Sequence, residues 1–385
     1  MSIYLDYNAT TPVDPQVLEK MLPFFTQSFG NAASKTHPEG WLAEKAVDDA
    51  RERMASHLGF SAQELVFTSG ATEAINLAIK GVAKAYQKKG KHIITVQTEH
   101  KATLDVCKSL ERKGYSLTYL PVDKEGVLDL NSLKEALTEE TILVALMLAN
   151  NETGVIQDLP AISQLVHEAG AIMLSDAVQA VGKIPVKVDE LGIDLMPISA
   201  HKFYGPKGVG ALYVRRRNPR VKLFPLIEGG GHERGRRSGT LNVPGIVGMD
   251  AALDLSVQLM ESEEDRLKIL RDQFEGNLLQ MEGTHLNGHA DKRLTHVSNL
   301  SFEGVESESL IMAMRELSVA TGSACTSANM EPSHVLKAMG VHDELAYAAI
   351  RFSLGRFTTE EDIQTAIEVV KRAVSKLRQE KALTS

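Results

Sequence analysis

The chain has 385 residues, a length that favours about two domains, and its 43% hydrophobic and 24% charged residues are typical of a soluble globular protein. A formal net charge of -8 argues against nucleic acid as a direct partner, and no apolar run is long enough to predict a membrane span. Two cysteines, Cys107 and Cys325, exclude a disulfide framework, and the absence of a leader pattern predicts a cytoplasmic protein.

Residues 65 to 214 alternate short apolar runs with amphipathic segments. This alternation indicates an α/β fold with a mostly parallel sheet flanked by helices, in which ligands gather at the carboxyl ends of the strands. We therefore predict seven strands, at residues 65–68, 92–96, 117–120, 142–148, 171–175, 195–199 and 209–214.

The last third of the chain has a different pattern, which predicts a smaller α+β domain. Its predicted elements are helices at 257–281, 307–317 and 332–339 and strands at 295–302 and 349–354. The final helix is predicted to begin with a capping box formed by Thr358 and Glu361. We predict a large domain over 15–260 and a small domain formed by 1–14 and 261–385.

One lysine is the most informative single residue. Lys202 follows a predicted strand, with Ser199 and His201 beside it and a Gly-Pro turn at 205–206 behind it. A lysine held at such a strand exit can form a Schiff base, which points to pyridoxal phosphate (PLP) chemistry. The competing interpretation is an ordinary surface lysine.

The segment 68–73 is a candidate anion cradle, because it follows a strand and opens a helix. Gly70 lets the backbone approach a ligand, free N–H groups of the first helical residues, Ala71 among them, face the anion, and Thr72 adds a hydroxyl. An ordinary helix N-terminus without a ligand remains the alternative. The spacing excludes a P-loop.

Other polar side chains follow predicted strands. Asp176 is placed to pair with a protonated pyridine nitrogen, and Gln179 to donate to a ring oxygen. His100 is placed to stack on a ring and move protons. A capping aspartate and a structural histidine are the plainer interpretations.

The small domain supplies further candidates. Cys325 lies among small residues at 321–329, which predicts an exposed loop, whereas Cys107 shares a helical apolar stripe and is predicted to lie in the core. Arg351 points away from the apolar face of its strand and could hold a carboxylate through two hydrogen bonds. Arg356 is the competing choice for that role.

Taken together, these residues give a chain that resembles the cysteine desulfurases of the NifS/IscS type, in the class V aminotransferase group with the PLP fold type I. The resemblance runs nearly from end to end. The motifs that carry it are residues 4–12, 69–73, 99–101, 150–154, 175–179, 199–202, 236–240, 322–327 and 350–356.

The resemblance implies a role for each matched residue. Lys202 carries PLP and is catalytic together with Cys325 and His100, while Asn151 and Arg351 hold the substrate carboxylate. The remaining implied cofactor contacts are Ala71, Thr72, His100, Asn151, Asp176, Gln179, Ser199, His201 and, from a second subunit of a homodimer, Thr240.

The implied reaction converts L-cysteine to L-alanine, with a persulfide formed on Cys325 and passed to a sulfur-acceptor protein such as an iron–sulfur scaffold. Iron–sulfur cluster assembly, tRNA thiolation and DNA sulfur modification all stay open as pathways. No resident metal is expected, although Cys325 could contact a transferred iron–sulfur cluster.

Three alternatives remain at this point. The first is a selenocysteine lyase or another aminotransferase-like PLP enzyme on the same fold. The second is a nucleotide-dependent enzyme that uses the glycine turn at 205–210, although that spacing fits neither phosphate-binding fingerprint. The third is a non-catalytic sulfur carrier, against which the presence of both Lys202 and Cys325 argues.

Overall fold

The computed structural model describes residues 2–321 and 332–384. The strands of this part are β1 (Ile3–Tyr4), β2 (Leu65–Thr68), β3 (His92–Val96), β4 (Ser116–Leu120), β5 (Thr141–Ala145), β6 (Ile172–Leu174), β7 (Leu195–Ser199), β8 (Gly210–Val214), β9 (Thr284–Leu286), β10 (Val297–Phe302), β11 (Leu317–Ser318) and β12 (Ala349–Ser353).

The α-helices of the same part are α1 (Pro15–Met21), α2 (Pro23–Thr26), α3 (Pro38–Leu58), α4 (Ala71–Tyr86), α5 (Lys101–Glu111), α6 (Leu130–Ala136), α7 (Leu159–Glu168), α8 (Val243–Leu278), α9 (Ser307–Ala313), α10 (His334–Ala338), α11 (Asp343–Tyr347) and α12 (Glu360–Thr384). Short 3₁₀ turns occur at Ala62–Glu64, Ala200–Lys202 and Glu233–Gly235.

The largest sheet has seven strands in the order β2-β8-β7-β6-β5-β3-β4. All of its pairings are parallel except the two made by β8, which runs antiparallel to both neighbours. The exception follows from chain length: β7 and β8 are joined by residues 200–209, too few for the crossover that parallel neighbours need. The predicted mostly parallel seven-stranded sheet is confirmed.

Helices cover both faces of this sheet. Adjacent strand residues therefore enter different apolar clusters: Ile93 packs with α4 and α5, whereas Ile94 packs with residues of α3, α7 and α8. Because both faces are buried, the sequence shows continuous apolar runs instead of strict alternation. Cys107 lies in the first of these clusters and is fully buried, as predicted.

A second group of elements surrounds a three-stranded antiparallel sheet with the order β12-β10-β9. Its apolar cluster contains Leu5 and residues between 267 and 374. Helix α8 contributes to this cluster and also to the core of the large sheet, and it crosses residue 260 without a break. The proposed division into two domains at that residue stays a prediction.

Among the predicted elements whose boundaries differ from the structure, three show a local reason for the difference. Helix α8 starts at Val243, because Asn242 caps it through the N–H of Gly245. The helix predicted to reach residue 317 ends at Ala313, and the residues after it pair with β1 as strand β11.

The third difference is the capping box of the last helix, which lies one residue later than predicted. Thr359 and Asp362 exchange side-chain-to-backbone hydrogen bonds of 3.1 and 2.9 Å. The Thr358 hydroxyl instead accepts from the N–H of Gly355, at 3.0 Å, and so belongs to the turn that precedes the helix. Glu361 has no part in the box.

Within the described residues, α8 alone is long and apolar enough to span a membrane by length and composition. The apolar stretch of 18 residues that gives this result is 61% buried inside the fold. Burial of this kind agrees with a core helix of a soluble protein.

Candidate functional site

A cavity of about 790 Å³ lies at the carboxyl ends of the parallel strands. The sequence-predicted residues that line it are Ala71, Thr72, His100, Asn151, Asp176, Gln179, Ser199, His201, Lys202 and Arg351. Residues separated by as many as 280 positions in the sequence therefore meet in one place. Most of them follow strands of the large sheet, as expected for a site at the carboxyl ends of parallel strands, whereas Arg351 comes from β12 of the three-stranded sheet.

Lys202 ends the 3₁₀ turn that follows β7. Its Nζ donates hydrogen bonds to the backbone carbonyls of Asn8, at 2.6 Å, and Ala9, at 2.9 Å. The amine thus faces the cavity from a short, rigid connection, which is the placement that Schiff-base chemistry requires.

Asp176 lies two residues beyond the end of β6 and is 6% exposed. One carboxylate oxygen accepts from the N–H of Val178, at 3.0 Å. Burial raises the pKa of Asp176 to about 6, although that hydrogen bond and the nearby Lys202 act in the opposite direction. The site therefore holds a carboxyl group that lacks a full counter-charge.

Helix α4 opens at the cavity without a side-chain cap. Its N-cap, Gly70, has φ 152° and ψ -178°, a backbone conformation that is essentially restricted to glycine. The first N–H groups of the helix, with Ser199 and His201 nearby in the lining, form a concave donor surface that suits an anion.

The imidazole of His201 contributes no positive charge to this donor surface at neutral pH. Burial, followed by the charges of Lys202 and Lys207, lowers its pKa to about 4. Its Nδ1 lies 3.1 Å from the hydroxyl of Thr10. A neutral ring with a fixed orientation can donate to a ligand oxygen through only one nitrogen.

His100 is the N-cap of α5, and its Nδ1 accepts from the N–H of Ala102 at 3.1 Å. Because Nδ1 accepts, the neutral ring carries its proton on Nε2. Burial is the main cause that lowers the pKa of His100, and Lys202 adds to the effect. The ring therefore has a defined tautomer at the cavity wall.

Arg351 lies on β12 and reaches the cavity from the opposite side. Its Nη1 donates to the carbonyl of Asn151 at 2.9 Å, and its Nη2 donates to Asp6 at 2.6 Å. Arg351 Nε and Asn151 Oδ1 are buried and have no partner among the described residues. Arg351 Nε can donate to a carboxylate of a ligand, whereas Asn151 Oδ1 can only accept, for example from an N–H or O–H group of a ligand.

The competing arginine occupies a different network. Arg356 pairs with Asp14 at 2.8 Å and with Glu263 at 2.5 Å, and its guanidinium lies 4.1 Å from the ring centroid of Tyr204. It is absent from the described lining of the cavity. The structure thus favours Arg351 over Arg356 as the carboxylate-binding residue.

Several residues of the site carry no signal in the sequence pattern. Asn8 is the clearest case: its carbonyl accepts from Lys202 and from Gln179, and its side-chain amide donates to the carbonyl of Asn151 at 3.1 Å. Segment 4–12 is marked only by the family resemblance, because its sequence has no helical or strand periodicity.

Two buried acids also escaped prediction: Glu152 lines the cavity, and Glu99 directly precedes the lining residue His100. Glu99 accepts from the N–H of Met147 at 2.6 Å, and burial raises its pKa well above the usual range. Burial raises the pKa of Glu152 to about 7, and its carboxylate accepts from the hydroxyl of Ser333. Both follow strands and belong to motifs that the sequence did single out.

Two predicted site residues are not brought into this cavity by the described chain. Thr240 is exposed and does not belong to the described lining. Cys325 lies outside the described residues. Their roles stay predictions.

Comparison with known proteins agrees with this geometry. Residues 3–365 match the model of the aminotransferase class-V family. The cysteine desulfurase IscS of Pectobacterium carotovorum subsp. carotovorum is 54% identical over 380 residues, which cover 98% of this chain and 94% of the relative.

Solved structures give the same result. A NifS-like protein superposes with a TM-score of 0.91 at 39% identity and covers 97% of this chain and 100% of its own. A structure described as SspA in complex with cysteine has a TM-score of 0.82 at 36% identity and covers 93% of this chain and 100% of its own. The chain therefore belongs to the aminotransferase class-V family, in which it is related to the cysteine desulfurases of the IscS type.

Proposed function

We propose that this chain is a PLP-dependent cysteine desulfurase, which converts L-cysteine to L-alanine and transfers the sulfur atom to an acceptor protein. The observation that carries the proposal is the meeting of the Lys202 amine, the Asp176 carboxyl group and the Arg351 guanidinium in one cavity. The relatives that are 54% identical support the same function, because they are cysteine desulfurases.

The residues of the cavity fit PLP, the cofactor of this family. The uncapped start of α4 suits the phosphate group, and Ala71, Thr72, Ser199 and His201 lie beside it. Asp176, buried without a full counter-charge, suits a protonated pyridine nitrogen.

When bound, PLP supplies a carbonyl group that condenses with an amine and a ring that accepts electrons from the α-carbon of the substrate. Lys202 Nζ would tether PLP, and the same amine would be the base that takes the α-proton of the substrate. Arg351 and Asn151 orient the substrate through its carboxylate. His100, which lines the cavity and carries a proton on Nε2, would help to hold PLP and to move a proton.

Cys325 is proposed to receive the sulfur. Its thiolate attacks the sulfur atom of the substrate, and a new S–S bond forms as the Cβ–S bond breaks. The electron pair of the broken bond stays with the carbon fragment, which takes up protons and leaves as alanine. The enzyme is left with a persulfide on Cys325, and the acceptor thiol is the group that removes it.

We place this enzyme in the cytoplasm as a homodimer, in which Thr240 of one subunit contacts the phosphate in the other. The exposure of Thr240 on its own subunit supports this arrangement. The acceptor is proposed to be an iron–sulfur scaffold protein, in line with the IscS relatives.

Product analysis tests the function. The holoenzyme, incubated with L-cysteine and a reducing thiol, is expected to release alanine and sulfide in equal amounts. A keto acid as the main product would assign the protein to transamination instead. A strong preference for selenocysteine in a parallel assay would assign it to the selenocysteine lyases.

A further inference from the structure

Lys183 is a partly buried lysine beside the cavity that the mechanism above does not use. It lies four residues after Gln179, in a series of turns that follows β6. Gln179 lines the cavity and is 4% exposed, whereas Lys183 is absent from the described lining. The lysine therefore stands behind the glutamine, as seen from the cavity.

The contact between the two side chains has a defined direction. Lys183 Nζ donates to Gln179 Oε1 at 2.9 Å. On the other side of the amide, Gln179 Nε2 donates to the carbonyl of Asn8 at 2.9 Å. Each of these two hydrogen bonds requires the same orientation of the amide, with the oxygen towards Lys183 and the nitrogen towards the cavity.

An amide group can rotate by half a turn and exchange its oxygen for its nitrogen. An ammonium group has three donors and no acceptor, so it accepts no hydrogen bond from the rotated amide. The rotated amide would also place its oxygen against the carbonyl oxygen of Asn8. The protonated form of Lys183, together with the carbonyl of Asn8, thus allows Gln179 one orientation only.

The backbone holds this pair together. The N–H groups of Ala180 and Val181 bond to the carbonyl of Ala177, and Ile184 bonds in turn to Ala180. Gly182 has φ 78°, which favours glycine, and a Cβ at this position would lie 2.8 Å from the Cβ of Phe203. The turn that brings Nζ back to the glutamine is therefore built into the chain.

We propose that Lys183 is a positioning residue that fixes the amide of Gln179 with its N–H₂ group towards the cofactor oxygen. The inference rests on the proposed function, because it needs an acceptor oxygen of PLP opposite Gln179. Burial, with the nearby charges of Lys202 and Arg351, lowers the pKa of Lys183 to about 7. The Lys183 amine is thus held close to other cations, whose repulsion destabilises its charged form. A lysine at the protein surface would not experience this repulsion.

A double-mutant cycle tests the proposal. The variants are Lys183→Met, Gln179→Leu and the pair combined, and the readouts are the dissociation constant of PLP from the apoprotein and the absorption maximum of the bound cofactor. Lys187→Met is the matched control, since Lys187 is a partly buried lysine in the same segment that donates to the carbonyl of His57 instead.

We expect Lys183→Met to weaken PLP binding about tenfold and to shift the absorption maximum. In the Gln179→Leu background the same substitution is expected to change the dissociation constant by less than about twofold. Lys187→Met is expected to leave both readouts unchanged. If Lys183→Met fails to fold, Lys183→Gln serves in the cycle, because an amide at this position can accept as well as donate.

Additive effects of the two substitutions would overturn the proposal, since Lys183 would then act through its charge and not through Gln179. An unchanged dissociation constant in Lys183→Met would overturn it too, as would a Gln179→Leu variant with normal binding and spectrum. Failure of the wild-type protein to take up PLP is a different result, which would overturn the proposed function itself.

Discussion

The Arg351 guanidinium lies against the Asp6 carboxylate, with 2.6 Å between Nη2 and Oδ1, although the two residues are 345 positions apart. The contact draws the N-terminal segment over strand β12 and leaves Arg351 Nε without a partner among the described residues. The arginine is therefore held in place by protein groups while one donor stays available to a ligand.

Replacing this arginine should separate substrate binding from cofactor binding. Arg351→Lys keeps the charge but loses the planar pair of donors, so the KM for L-cysteine is expected to rise about tenfold or more. The visible absorbance of bound PLP should not change. Steady-state kinetics and a spectrum of the same preparation check the prediction.

Arg356→Lys is the matched control. Arg356 is 8% exposed in its side chain and pairs with Asp14 and Glu263, away from the cavity. Its replacement is expected to lower the free energy of unfolding, because lysine cannot keep all of the hydrogen bonds to Asp14 and Glu263, and to leave the KM near the wild-type value. A rise in KM confined to the Arg356 variant would show that the carboxylate site has been assigned to the wrong arginine.

Asp176→Asn tests the proposed partner of the pyridine nitrogen. The amide has the same shape but no charge, so it no longer favours a protonated ring, and kcat is expected to fall about a hundredfold. Uptake of PLP should weaken but persist. Normal turnover in this variant would remove Asp176 from the mechanism.

For the apoprotein, Asp176→Asn is expected to change how the free energy of unfolding depends on pH. The pKa of Asp176 is raised from 3.8 to about 6 in the folded state, so the folded protein binds a proton more tightly than the unfolded chain. Ionisation of Asp176 then costs stability as the pH rises through this window, by as much as about 3 kcal/mol above it. Apo Asp176→Asn should be more stable than the wild type at pH 7, and this advantage should shrink towards pH 4. Denaturant titrations at several pH values measure the difference.

The strands of the large sheet were predictable because burial on both faces leaves continuous apolar runs, as at β5. The site residues on them were predictable for the same reason: Asp176 and Lys202 each follow such a run, and parallel strands end at one edge. The ends of helices, which depend on local hydrogen bonds, were harder to predict. The choice between Thr358 and Thr359 as the helix cap depends on which hydroxyl the turn already uses.

The contribution of the N-terminal segment could not be predicted from pattern. Asn8 contacts Lys202, Gln179 and His296, all distant in sequence, and its role depends on where the chain crosses the finished fold. The buried state of Glu99 is similar, because a charged residue after a strand is expected to face water. The contacts of Asn8 and the burial of Glu99 depend on tertiary packing, which cannot be read from local sequence periodicity.

Lys202→Ala should abolish the visible absorbance of the bound cofactor, because the tether is lost. Reduction of the wild-type holoenzyme with borohydride, followed by peptide mapping, is expected to place the cofactor on the peptide that contains Lys202. Lys187→Ala, which changes a lysine outside the described lining, should keep the absorbance. Attachment to any other lysine would refute the assignment.

The two cysteines of the chain give a natural comparison. Cys325→Ser should keep PLP and lose the release of sulfide. Cys107→Ser should keep activity, since Cys107 is fully buried and burial raises the pKa of its thiol to about 12. Assays of sulfide and alanine with both variants check this, and full activity of Cys325→Ser would move the sulfur chemistry elsewhere.

Lys202 and Cys325 are proposed to act together on L-cysteine. The most direct measurement is to incubate the holoenzyme with L-cysteine that carries isotopically labelled sulfur, and then to map the labelled peptides by mass spectrometry. One labelled sulfur atom is expected on the peptide that contains Cys325, and none in Lys202→Ala. Alanine formed with no label on Cys325, or with the label on Cys107, would contradict it.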